Sequence, residues 1–86
     1  ETFACLGHCM EAIRRGGLYP CAVNSANEQA VALFLAGKIG FCQIGQAVGE
    51  VLERFSCDPS APYTLEQVDE TDRWAREAVL EYCGRG

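Results

Sequence analysis

Asn24, Asn27 and Glu28 form the polar cluster most readily read as a functional site, because they stand within five consecutive positions just ahead of a long apolar run. Helix capping accounts for part of it. In Ser25-Ala26-Asn27-Glu28 the serine hydroxyl can accept from the amide three residues on while the glutamate reaches back to the serine amide, and Asn24 is an alternative cap. The functional reading is that Asn24, Asn27 and Glu28 form contacts to another domain. A second constellation, Cys5, His8 and Cys9 with Cys21 as a fourth ligand, is poorly spaced for a metal. No CxxC pair occurs, and the chain has one histidine.

The other reactive side chains read as structure. Cys5, Cys9, Cys21, Cys42, Cys57 and Cys83 are expected to be mostly reduced thiols that pack as small apolar residues. A disulfide-bonded secreted protein would need them oxidised in pairs. Arg73 and Arg76 offer two cations for a phosphate, yet Asp72 and Glu77 beside them favour a solvated, paired face. Trp74 is expected in the core rather than on a stacking platform. With His8 the one candidate base and no serine, cysteine or threonine near an evident base and acid, nucleophilic hydrolysis is disfavoured. The sequence offers no catalytic, cofactor-binding or metal-binding residue.

Length and charge narrow the field further. Eighty-six residues make one domain, residues 1–86, with no room for a second and too short for a Rossmann nucleotide domain, a hydrolase sheet or a barrel. Twelve acidic against seven scattered basic residues give a formal charge of −5, which disfavours nucleic acid and anionic lipid as partners. The longest apolar run, 30–36, is too short to span a bilayer, and no secretory leader pattern opens the chain. A soluble domain is expected.

Four helical segments would position these residues. Phe3, Leu6, Met10 and Ile13 recur at helical spacing, with Glu11, Arg14 and Arg15 on the other face, and Gly16-Gly17 supplies a stop. Pro20 implies a connection over 18–23, with the second helix starting near Asn24. Its run from Ala30 to Ala36 is apolar on every face and so is expected to be surrounded by protein. Phe41, Ile44, Val48, Val51, Leu52 and Phe55 pattern the third helix, where Gly45 and Gly49 suggest close approach by a neighbour. After a loop over 56–62, Thr64 to Gln67 fits a short capped turn. The last helix is expected from Asp69 or Thr71 to Tyr82, its inner face Trp74, Ala75, Ala78, Val79 and Tyr82, with Asp72 and Arg76 paired outside. With no strand pattern, the fold class is all-α, a four-helix bundle-like domain.

Several segments carry a family resemblance. The stretch Val23-Asn24-Ser25-Ala26-Asn27-Glu28-Gln29-Ala30-Val31-Ala32-Leu33-Phe34-Leu35 closely resembles the Asn-Ala-Ala-Asn-Glu helix of deoxyxylulose-phosphate reductoisomerases. Gly37-Lys38-Ile39-Gly40-Phe41 resembles that family's Gly-x-Ile-x-Phe connection, Asp72-Arg73-Trp74-Ala75-Arg76 its Asp-x-Trp-Ala-Arg helix start, and Phe3-Ala4-Cys5-Leu6 its Phe-Pro-Cys-Leu entry. Four segments in order cover nearly the whole chain. Ser25 stands where alanine is usual, Ala4 where proline is usual, and Cys42 where a polar or small residue often follows the phenylalanine.

The resemblance implies the C-terminal helical domain of an NADPH-dependent enzyme of the methylerythritol phosphate route to isoprenoids, which is assisted by a divalent metal, Mg or Mn. It implies a cytoplasmic bacterial protein, homodimeric as a whole, whose nucleotide, metal and substrate sites lie in domains that this one packs behind. None of those sites has a matching motif here, so the domain alone is expected to be inactive, with the catalytic domain of its own chain as partner. Glu1, with no methionine, fits a fragment of such a chain. The alternative is a free-standing helical interaction module that binds a protein beside the second helix.

Overall fold

A computed structural model describes residues 2–84, with side-chain surroundings from Leu6 onward. Four helices form, α1 (Thr2–Arg15), α2 (Tyr19–Leu35), α3 (Phe41–Arg54) and α4 (Leu65–Gly84), with no strand among the described residues. The all-α expectation holds. Helices α2, α3 and α4 pack against one another, while α1 lies on α2 and α3 and does not touch α4 among the described residues. The radius of gyration is 12.3 Å, against about 12 Å for a compact domain of this size.

Small side chains set how close the helices come. The buried core contains Ala12 of α1, Ala22, Ala26 and Ala30 of α2, Ala47 of α3, and Ala75 and Ala78 of α4. The largest fully buried side chains are only valines, Val23, Val48, Val51 and Val79. Alanines at 22, 26 and 30 fall at four-residue spacing, so one face of α2 presents almost no side-chain bulk to its neighbours. Around this interior, Tyr19 meets Phe55 edge-on at 5.2 Å between ring centroids, and Phe55 meets Trp74 at 5.4 Å. Trp74 is thus half-buried on the core, as expected.

Three expectations about helix starts and faces are corrected. First, α2 begins at Tyr19, so residues 19–23 are helix and not a connection. Pro20 lies in the first turn, where an amide would have no intrahelical acceptor, so its missing N–H costs nothing. Gly16 and Gly17 at φ 79° and 59° make the reversal ahead of it, and a Cβ on Gly17 would fall 2.8 Å from the Pro59 backbone of the loop above. Second, α4 opens at Leu65: Thr64 Oγ1 accepts from the Gln67 amide at 3.2 Å and Gln67 Oε1 accepts from the Thr64 amide at 2.8 Å. The capping pair is real but starts the long helix, not a separate turn.

Third, the apolar stripe of α1 faces out. Leu6, Met10 and Ile13 are 55%, 62% and 69% exposed, whereas Ala12 is buried and Cys9 packs on the core. The Phe3 side chain of that stripe lies outside the described residues. In α2 the apolar run is only partly covered, with Ala32, Leu35 and Ala36 exposed.

The close approach expected at Gly49 is made by α1. A Cβ there would lie 2.8 Å from His8 Nε2 and 3.1 Å from its Cε1. The obstacle is the far end of a rotatable side chain, so Gly49→Ala should be near neutral alone: about 1 kcal/mol of helix propensity offsets the displaced imidazole. In a His8→Ala background the same change should stabilise by about 1 kcal/mol, read from urea unfolding midpoints of the four variants.

Candidate functional site

Asn24, Asn27 and Glu28 lie inside α2, more than a turn past its start, so the capping-box reading of Ser25 to Glu28 is overturned. The same residues tie α2 to α4. Ser25, only 3% exposed, donates its hydroxyl to Asp72 Oδ1 at 2.6 Å. Arg76 donates Nε to the same Asp72 oxygen at 3.0 Å and Nη2 to Glu28 Oε1 at 2.7 Å. Asn24 Nδ2 completes the line by donating to Glu28 Oε2 at 3.5 Å. The Asp72–Arg76 pair anticipated on the outer face is present, and α2 supplies its further partners.

Electrostatics follow from that geometry. The Ser25 hydroxyl, and after it Arg76, hold the Asp72 carboxyl below the usual carboxylate range, and Glu28 and Asp72 push Arg76 still higher. Replacing Ser25 by alanine should cost roughly 1 kcal/mol, because a hydrogen bond to a charged group is lost while Asp72 keeps Arg76 and solvent and alanine suits a helix better. Thermal unfolding of Ser25→Ala measures it.

Asn24 and Asn27 have a second setting. With Ile13, Pro20, Cys9 and Val23 they line a groove of about 220 Å³ between α1 and α2. Of the three residues proposed to reach another domain, two therefore border an open groove. Glu28 is bound to Arg76 within the domain.

The reactive side chains are dispersed. Cys9, Cys21, Cys42, Cys57 and Cys83 are reduced thiols outside any disulfide. Burial pushes Cys21 and Cys83 up, and Cys21 donates its thiol to the Val68 carbonyl at 3.7 Å, so neither is an activated nucleophile. Among the described residues no three His, Cys, Asp or Glu side chains converge for a metal ion, and the Cys5 side chain lies outside them. On α1, Glu11 is lowered to about 2 by hydrogen bonds from Arg14 and Arg15. Arg73 is exposed, and Arg76 is engaged by carboxylates rather than presented with it to a phosphate. No helix among the described residues is long and apolar enough to cross a membrane.

What these residues build is a helical packing domain: the polar side chains serve interhelix ties, and the described residues hold no donor set suited to a divalent metal. Its lineage is specific. The family model described as the DXP reductoisomerase C-terminal domain matches residues 1–78, and the chain belongs to that family. It is 42% identical over 86 residues to a protein named 1-deoxy-D-xylulose 5-phosphate reductoisomerase from Thermosynechococcus vestitus, covering 100% of this chain and 21% of that one. A protein of the same name from Acetivibrio thermocellus is 42% identical over 81 residues, covering 94% of this chain and 21% of its own. The chain spans about a fifth of the length of these relatives. No solved structure matches it significantly.

Proposed function

We propose that residues 1–86 form one helical domain, the C-terminal support domain of an NADPH-dependent 1-deoxy-D-xylulose 5-phosphate reductoisomerase of isoprenoid biosynthesis. The observation that carries the reading is the match of nearly the whole chain to a C-terminal domain family whose named relatives are about five times longer. The catalytic portion of the same chain is its partner, and the whole enzyme is a cytoplasmic, bacterial homodimer. In the whole enzyme NADPH would supply hydride and a divalent metal, Mg or Mn, would assist. Neither group fits the described residues: among them three metal-binding side chains do not converge, and no strand precedes a glycine-rich turn to hold a dinucleotide. No step of the reaction runs through this domain.

Its own contribution is mechanical. The Ser25–Asp72–Arg76–Glu28 line fixes α2 against α4, which holds Asn24 and Asn27 in place for polar contacts to the catalytic portion. Glu28, whose side chain is more than half exposed, holds Arg76 and stands beside them for the same contacts.

The test is to read the gene upstream of Glu1 and assay the whole encoded chain. The full-length protein should oxidise NADPH with deoxyxylulose phosphate and a divalent metal, while residues 1–86 alone show no turnover. A reading frame that starts at this domain would overturn the proposal in favour of an independent interaction module.

A further inference from the structure

The outer face of α1 is built like an interface. Leu6, Met10 and Ile13 follow one another at four- and three-residue steps, so they form a continuous strip along one side of the helix, and each is more than half exposed. The other large exposed apolar residues are dispersed: Leu35 ends α2, Phe41 starts α3, Tyr63 is in the loop, and Leu65 and Leu80 stand fifteen positions apart on α4. Single exposed apolar residues are ordinary, whereas a contiguous strip indicates a missing contact.

Packing within the domain explains why the strip cannot turn inward. Helix α1 sits on α2 and α3 through Ala12, Cys9 and the His8 ring over Gly49, contacts that need small or flat groups. With Cys9 and Ala12 taking the inner position, Met10 and Ile13 are left on the outside of the helix. The strip continues into the groove between α1 and α2, where Ile13 and Pro20 give an apolar floor and Asn24 and Asn27 border it with amide groups. Glu11, Arg14 and Arg15, joined in one ion-paired group, stand beside it. An apolar centre with a polar rim is the anatomy of a protein interface.

We infer that this face, the Leu6–Met10–Ile13 strip with the adjoining Asn24/Asn27 groove, docks the catalytic portion of the same chain. The inference rests on the support-domain reading given above. It favours that occupant over a second copy because about four-fifths of the length of the relatives lies outside the region matched here, and a C-terminal domain receives that length through its first helix, α1. A face on the entering helix lies within reach of the preceding chain without a long linker.

Photo-crosslinking in the full-length protein tests this. A benzoylphenylalanine placed at Met10 or Ile13, and for comparison at Leu65 or Leu80, is irradiated in the purified enzyme, and the linked peptides are mapped. Met10 and Ile13 should give intrachain links to peptides ahead of this domain, several-fold more abundant than any from Leu65 or Leu80. Links to a second copy, no links, or links from Leu65 and Leu80 instead would overturn the docking face. The same preparation is assayed for NADPH oxidation, which separates the two readings: turnover without the expected links sinks only the face, and the expected links without turnover sink only the assigned activity.

Discussion

Ala26→Leu is expected to lower the unfolding free energy by about 3 kcal/mol, the upper end of the usual cost of inserting methylenes into a packed interior. A domain of this length holds about 4–13 kcal/mol in total, so the change would remove between about a quarter and three-quarters of it. The reasoning rests on how this core is made. Ala26 is 0% exposed, it lies between Ala22 and Ala30 on α2, and the largest fully buried side chains around the core are valines. Helices that approach on alanine have no flexible side chain to give way, so three added carbons must push backbones apart. Removing bulk is the milder perturbation here than in a leucine-rich core, since little volume is concentrated at any one position. Ala32→Leu is the control: Ala32 is on the same helix but exposed, and leucine is nearly as good a helix former. Urea unfolding should show a lowered midpoint for Ala26→Leu and an unchanged one for Ala32→Leu. Equal midpoints would mean that α2 does not pack on its alanine face.

Which parts of this arrangement are legible in sequence depends on whether the deciding contact is local. The register of α3 is, because Ile44, Val48, Val51 and Leu52 recur at helical spacing and all four are buried. So is the capping pair at Thr64 and Gln67, which lies within one turn. The start of α2 is missed because proline disfavours helix interiors but suits a first turn, and nothing local to Pro20 distinguishes the two. The orientation of α1 is missed for a different reason. Periodicity reveals that a helix has an apolar face; it does not reveal whether this domain or another covers it. The small face, Cys9 and Ala12, wins the inner position because α2 and Gly49 demand thin contacts, a fact distributed over three helices.

The candidate polar site divides the same way. Asn24, Asn27 and Glu28 draw notice because they crowd before an apolar run, and capping is the nearest local explanation. Their actual roles depend on α4, since Ser25 and Asp72 are bonded across 47 positions and Glu28 and Arg76 across 48. No spacing rule connects residues that far apart. The one hint is chemical: a serine where the resembling family usually has alanine, on a face otherwise made of Ala22 and Ala26, needs an acceptor once buried, and Asp72 is it.

Reversing the charge at the centre of that line should reverse its pH behaviour. In the native chain the Asp72 carboxyl is held below its ordinary value by Ser25 and Arg76. A depressed carboxyl contributes stability that is fully present above its unfolded pKa near 3.8 and is lost as pH falls through the lower folded value. Glu11 acts in the same direction, its window running from the unfolded 4.5 down to about 2. In Arg76→Glu the new carboxylate faces Glu28 and Asp72 with no cation between them. At pH 7 the loss should be on the order of 1 kcal/mol after solvent screening, or about 4–8 °C in Tm for a domain of this size. As pH falls through the carboxylate range the variant's three acids become neutral and the repulsion ends, while the native advantage starts to fall below pH 3.8 and goes fully only below the lower folded value of Asp72, so the gap between native and variant should narrow steadily towards pH 3. Melting curves of both proteins from pH 7 to pH 3 decide it. A gap that stays constant across that range would mean that Arg76 acts through packing of its stem, and that the Glu28–Arg76–Asp72 line does not hold α2 to α4 by charge.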